Sequence, residues 1–204
     1  MEGLMTTDQR KKLHPHKFAL WVAMGSMAMT FAGLTSAYVV KQAGGNWRSF
    51  DLPVVFWIST IVILLSSFTV HLGVKAFKER RIPLYKKLIT LTLLLGLAFS
   101  ALQFMGFYQL STQPQEVVFN GEASGRFEPV TIPGNPSESF IFVIAGLHLL
   151  HILGGIVALI VVFIKAHRKR VKVYNATGLE IAASYWHFVD VLWIYLFVFF
   201  LANQ

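Results

Sequence analysis

The sequence predicts an all-α membrane protein, a bundle of five transmembrane helices with its N-terminus cytoplasmic and its C-terminus periplasmic. Three observations predict it. Hydrophobic residues make up 55% of the 204-residue chain and charged residues 14%, against about 25% charge in a soluble domain. Five apolar stretches are each long enough to cross about 30 Å of hydrocarbon, which takes about 20 helical residues. The basic residues collect in alternate loops, as they do where those loops stay on the cytoplasmic side.

The five stretches cover residues 18–40, 52–76, 88–110, 139–164 and 179–202. Each must be a helix, because hydrocarbon offers no partner to a free backbone N–H or C=O. The alternating pattern of a transmembrane barrel strand is not seen. The first stretch follows Arg10, Lys11, Lys12 and Lys17, as a signal peptide would. Its apolar run exceeds the roughly 7–15 residues of a signal core, so it reads as a retained helix. Residues 1–17 then form a cytoplasmic segment and residues 18–204 one membrane domain.

Charge placement sets the topology. Besides the four N-terminal cations, the loop after the second helix carries Lys75, Lys78, Arg80, Arg81, Lys86 and Lys87. The loop after the fourth carries Lys165, Arg168, Lys169, Arg170 and Lys172. The other two loops hold only Lys41, Arg48 and Arg126 of the 18 basic residues. The net charge of +8 is thus a topology signal, with contact to anionic headgroups as a secondary use. No basic patch is left over for nucleic acid. Cysteine is absent, which excludes disulfides, thiolate metal sites and a cysteine nucleophile.

The long outer-face loop, 111–137, is rich in turn formers: Pro114, Asn120-Gly121, Ser124-Gly125, Pro129, Pro133-Gly134 and Pro136. Strand character at 117–119 and 127–132 suggests a small hairpin. It reads as a plain surface loop or as a docking surface for an outer-face partner.

Ionisable groups at bilayer depth cost roughly 2.5–3.5 kcal/mol each on insertion scales and face protein rather than lipid. Here they are His71, His148, His151, His187 and Asp190, with Gln103 as a neutral polar companion. His148 and His151 are three apart on the fourth helix, and His187 and Asp190 three apart on the fifth, so each pair shares a face. Both pairs fall at mid-bilayer depth and could meet between the last two helices. Three readings compete: metal or haem ligation, a proton relay through Asp190, and polar glue that fixes helix packing. Two histidines one turn apart cannot be the two axial ligands of one haem, and a relay needs a wet path, so glue suits the pattern best.

Small-residue stripes, Ala28, Ala32 and Ser36 on the first helix and Gly154 and Ala158 near Gly146 and Gly155 on the fourth, allow close helix approach. Trp21, Trp47, Tyr85, Tyr108 and Tyr174 lie near span ends, where interfacial aromatics anchor. No phosphate loop, Ser-His-Asp order or paired-carboxylate site is present.

The fifth helix contains Trp186-His187-Phe188-Val189-Asp190-Val191-Leu192-Trp193. This resembles the W-H-F-V-D-x-x-W signature of subunit III of haem–copper respiratory oxidases. Gly146-Leu147-His148-Leu149-Leu150-His151-Ile152-Leu153-Gly154 is similar to that family's G-x-H-x-x-H-x-x-G segment. Leu102-Gln103 resembles its L-Q pair and Phe31-Ala32-Gly33 its F-A-G stretch. The signature residues carried over are therefore Gln103, Trp186, Phe188 and Trp193. Five helices match the short bacterial form of the family, which lacks the two N-terminal helices that enclose a phospholipid cleft in the seven-helix form. Two departures stand out: Met27 and Gly106 occupy positions where the family often carries glutamate.

The resemblance implies an accessory subunit of a terminal oxidase, for cytochrome c or quinol, in the bacterial plasma membrane. Such a subunit packs on catalytic subunit I and supports its stability and proton uptake while the complex reduces oxygen to water and pumps protons. It implies no catalytic residue, cofactor or metal in this chain. Haem and copper belong to subunits I and II; bound phospholipid and membership of a respiratory supercomplex are compatible with it. His148, His151, His187 and Asp190 would then form a structural polar cluster. The competing classes are a free-standing b-type cytochrome or haem-handling protein using the membrane histidines, and a small transporter. The latter would need broken, paired segments.

Overall fold

The computed structural model describes residues 15–43, 48–49, 52–112, 114–119, 122–128, 136–168 and 177–203. Arg10, Lys11, Lys12, Trp47, Asn120-Gly121, residues 129–135, Lys169, Arg170, Lys172 and Tyr174 lie outside the described residues. Five long helices, α1 (Pro15–Gln42), α2 (Val54–Lys78), α3 (Ile82–Thr112), α4 (Pro136–His167) and α5 (Thr177–Ala202), make up the bundle. All five are long and apolar enough to cross a membrane, and the fold is the all-α membrane bundle expected.

The helices run 25 to 32 residues, or roughly 38–48 Å at 1.5 Å per residue, so their ends project beyond the hydrocarbon. That is why α3 begins at Ile82, within the basic loop read from sequence, and carries Lys86 and Lys87 on helical backbone. Pro15 and Pro136 open α1 and α4, where a missing N–H costs nothing. α2 ends in a tight reversal into α3. Arg80 takes φ 58°, and the Arg81 N–H donates to the Ala76 carbonyl at 2.9 Å, a six-residue closure of the kind usually built on glycine.

α2 and α3 form the largest interface; α3 with α4, α4 with α5 and α5 with α2 close the ring, and α1 lies on α4 and α5. One apolar cluster, including Ile63, Val70, Ile89, Phe99, Ile152 and Trp186, fills the ring. A second, including Phe31, Tyr38, Ile144 and Leu196, seats α1. The outside stays apolar: Met29, Phe68, Phe104 and Leu150 are exposed, as lipid or neighbouring membrane subunits require.

A three-stranded sheet caps the pole away from the lysine-rich turns. β2 (Gln115–Phe119) pairs antiparallel with β3 (Glu122–Glu128), Phe119 opposite Glu122, with a register shift between Glu116 and Val118. This is the hairpin expected, with its second strand beginning five residues earlier than the sequence pattern indicated. β1 (Arg48–Ser49) adds a third strand through Arg48 opposite Phe119. Two residues carry no periodicity, so β1 had no sequence signal.

Candidate functional site

The buried polar groups gather along α5 where it faces α2. Trp186 and Trp193 are seven residues apart and 0% and 2% exposed. An indole N–H in hydrocarbon must find an acceptor, and α2 supplies one for each. Trp186 Nε1 donates to Ser66 Oγ at 3.0 Å, and Trp193 Nε1 donates to Thr60 Oγ1 at 3.0 Å. Each hydroxyl spends its own proton elsewhere: Thr60 Oγ1 donates to the Phe56 carbonyl of its own helix at 2.7 Å, and Ser66 Oγ to the Thr92 carbonyl of α3 at 3.5 Å.

Glycines make room for the rings. A Cβ on Gly96 of α3 would lie 2.8 Å from Trp186 Cη2, and one on Gly155 of α4 would lie 2.9 Å from Trp186 Cε3. The Trp186 ring is therefore clasped by two glycine notches while its N–H is tied to a third helix. Gly155 lies beside the stripe read from sequence, Gly154 and Ala158, and not in it. Gly146 meets nothing within 4 Å and Gly154 only the Tyr185 hydroxyl at 3.5 Å. The close approach is thus of backbone to an indole.

His187 Nδ1 is hydrogen-bonded to Ser67 Oγ at 2.5 Å, and its ring lies 6.3 Å from that of His71. His187 thus bonds to α2. His148, on α4, is 1% exposed. It stacks on Trp193 at 5.4 Å and 27° and meets the edge of Phe31 at 6.2 Å; neither ring nitrogen has a hydrogen-bond partner. His151 Nδ1 donates to the Leu147 carbonyl of its own helix at 2.7 Å, and its ring contacts Phe31 at 5.7 Å. Asp190, 1% exposed, makes no hydrogen bond of good geometry from either oxygen, with the Ser67 hydroxyl near enough to act on it. The four predicted residues thus occupy one stretch of the bundle but point to different neighbours: α1 for His151, α1 and α5 for His148, α2 for His187.

Gln103 of α3 donates from Nε2 to Ser59 Oγ at 2.8 Å, leaving Oε1 without a partner. Phe188 packs between the two apolar clusters. Of the interfacial aromatics, Trp21 and Tyr108 are exposed, whereas Tyr85 is buried with its ring 5.0 Å from Phe77. Sequence reasoning missed the acceptors Ser59, Thr60, Ser66 and Ser67. The signal was present: two adjacent hydroxyl pairs on the apolar part of α2, with the two acceptors used, Thr60 and Ser66, six residues apart against the seven-residue tryptophan spacing.

Two of the membrane histidines have a ring nitrogen already bonded. Rings stand against His148 on two sides, His151 Nδ1 is committed to its own backbone and His187 Nδ1 to a serine. Among the described residues no three of His, Asp and Glu come together as a metal-holding group. What the arrangement does chemically is cross-link helices: α5 to α2 three times, α3 to α2 three times, α5 to α4 through the Tyr185 hydroxyl and the His151 carbonyl at 3.0 Å, and α1 to α5 through Thr35 Oγ1 and the Tyr195 hydroxyl at 2.8 Å.

Residues 46–202 match the model of the family described as "Cytochrome c oxidase subunit III"; α1 lies before the matched range. The chain is similar to a "Probable cytochrome c oxidase subunit 3" of Mycobacterium leprae, with 32% identity over 180 residues, 86% of this chain and 82% of the relative. A protein of the same description from Nocardia farcinica is 30% identical over 184 residues, 87% and 82% of the two chains. A "Probable quinol oxidase subunit 3" of Staphylococcus aureus is 29% identical over 188 residues, 89% and 86%.

Proposed function

The chain belongs to the cytochrome c oxidase subunit III family, and from that premise we propose that it is the non-catalytic packing subunit of its complex, seated on catalytic subunit I. It is a multi-pass bacterial membrane protein and a subunit III of a haem–copper oxidase of the cytochrome c or quinol type. Within that complex the proposal assigns oxygen reduction to haem and copper held by subunits I and II. This chain supplies a rigid apolar wall that stabilises subunit I and supports proton uptake. Its basic pole faces the cytoplasm and its sheet the periplasm, in the plasma membrane.

The observation that carries this reading is how the buried polar groups are spent. Trp186, Trp193, His187 and Gln103 each bond to a hydroxyl on α2. Side chains committed to a neighbouring helix fix packing, and that is the use to which both indoles, the Gln103 amide and His187 Nδ1 are put. The apolar exterior of α1 and α4 then offers the surface on which a membrane partner can pack.

The test is to purify the oxidase with and without this chain. The expected result is unchanged haem and copper content per subunit I, together with a lower melting temperature and a shorter active half-life. Loss of a haem or copper equivalent along with the chain, or a Soret band from the chain alone, would overturn the reading.

A further inference from the structure

Asp190 carries the carboxyl of the polar seam, and the helix cross-links described above do not use it. It is 1% exposed, and neither oxygen makes a hydrogen bond of good geometry. An ionised carboxylate left in that way is among the costliest groups a bilayer can hold. A protonated one is neutral, and its O–H needs an acceptor. His187 and Asp190 are three apart on α5 and share a face. The Ser67 hydroxyl of α2 meets that face: it bonds to His187 Nδ1 at 2.5 Å and stands near enough to act on the Asp190 carboxyl.

Exposure rises step by step along this row. Asp190 is buried, Ser67 and His187 are half-buried, and His71 is exposed. The two imidazoles, 6.3 Å apart, line a cavity of about 410 Å³ that opens at the basic pole. A proton relay needs a wet path, and this cavity brings water to the His187 ring. The charged groups around it are Lys17 of α1, Lys78 of α2 and Glu180 of α5. On the far side the row stops. Trp193, one turn beyond Asp190, gives its N–H to Thr60 and has no acceptor with which to pass a proton on. His148 and His151 of α4 are turned to Phe31, Trp193 and the Leu147 carbonyl.

We propose that Asp190 is a proton-exchange site within this chain, a one-proton store filled and emptied from the basic pole through His187 and Ser67. On release, the Asp190 O–H bond breaks as its proton passes to Ser67 Oγ. The Ser67 O–H bond breaks as its own proton passes to His187 Nδ1, and the His187 Nε2–H bond breaks as a proton leaves to water in the cavity. Uptake is the same sequence reversed, beginning with a proton returned to Nε2. His187 is neutral before and after, having exchanged one tautomer for the other. The charge made at depth is the Asp190 carboxylate, which the Ser67 hydroxyl then faces as donor. The bond that ties α5 to α2 is the bond that carries the proton, so the site is compatible with the packing role proposed above and does not rest on it.

The experiment is infrared spectroscopy of the purified oxidase during exchange from ordinary to heavy water, read at the carbonyl stretch of protonated carboxyls. The wild type should show a band that shifts on deuteration and that Asp190→Asn removes. In Ser67→Ala the band should remain, and its exchange should slow by about 100-fold, the low end of what a positioned proton-transfer group contributes. His187→Phe, which keeps a ring against α2, should slow it similarly. Ser67→Thr, which keeps the hydroxyl, should exchange at the wild-type rate. A purely structural Ser67 would change the melting temperature of Ser67→Ala and leave the exchange rate alone, which would overturn the proposal. It fails equally if Asp190→Asn removes no band, if the band it removes never exchanges, if His187→Phe exchanges as fast as the wild type, or if Ser67→Thr is as slow as Ser67→Ala.

Discussion

Placing a methyl group at Gly96 or Gly155 should destabilise the bundle, and shrinking Trp186 should undo the damage. At Gly96 the new Cβ would sit 2.8 and 2.9 Å from two indole carbons, and at Gly155 2.9 and 3.0 Å from two others. Ordinary contact begins near 3.4 Å, so one partner must move by about half an ångström. Trp186 has little room to yield: other carbons of the same six-membered ring meet the other glycine, and its Nε1 is held by Ser66. Overpacking of this kind costs about 1–3 kcal/mol. Trp186→Phe alone loses the N–H bond and part of the ring, and leaves space beside both glycines. The double variants Gly96→Ala/Trp186→Phe and Gly155→Ala/Trp186→Phe should therefore be more stable than the sum of their single changes, by about 1–2 kcal/mol. For a chain of this size that is on the order of 2–4 °C of melting temperature per kcal/mol. The assay is thermal unfolding of the purified complex, followed on this subunit. Strict additivity in both cycles would refute the clasp, because it would mean that the methyl groups and the indole do not share space.

Other substitutions probe the same packing. Arg80→Gly should stabilise by about 0.5–1 kcal/mol, since φ 58° strains a residue with a Cβ and suits glycine; an unchanged or lower melting temperature would count against the strain. Asp190→Asn should melt within about 1 kcal/mol of wild type, because the carboxylate has no hydrogen bond of good geometry to lose and the amide keeps its volume. Asp190→Ala should cost about 1–2 kcal/mol for the cavity left at a 1% exposed position. Wild-type melting for both variants would show that the site is loosely packed. Thr60→Val should cost about 0.6–1.5 kcal/mol by stranding the Trp193 N–H. Adding Trp193→Phe should recover most of it if that bond is the cause.

The five helices were legible because hydrocarbon leaves the backbone no other choice, and a long apolar run is enough to show it. Their ends were less so. Lys86 and Lys87 mark where the membrane stops, which differs from where the helix stops, and α3 continues back to Ile82. The hairpin was legible from its turn formers; the two-residue β1 was not, having no pattern to read. At the polar seam, spacing gave shared faces correctly as geometry: three residues apart puts His187 beside Asp190 on α5. Spacing cannot say which helix that face meets. His187 bonds to Ser67 of α2, and only the closed ring of α2, α3, α4 and α5 brings α2 there. Gly155 could be read as small, but its use depends on an indole arriving from α5.

The α5 signature then has a physical meaning separate from ligation. Tryptophan carries one donor and no acceptor, and in a bilayer that donor must be met by another helix. Two tryptophans seven residues apart therefore demand two acceptors about two turns apart on a facing helix, here Thr60 and Ser66, six residues apart. The pairs Ser59-Thr60 and Ser66-Ser67 provide them, with Ser59 and Ser67 left for Gln103 and His187. Register follows from this pairing. A slide of α2 by one turn would strand two indole N–H groups, one imidazole and one amide together, and would also pull Trp186 from its glycine notches. Each polar bond between membrane helices is worth only about 0.6 kcal/mol on average, yet all four fail at the same displacement. Individually weak bonds can thus select one packing arrangement strongly, a property suited to a subunit whose proposed task is to hold its shape against a catalytic neighbour.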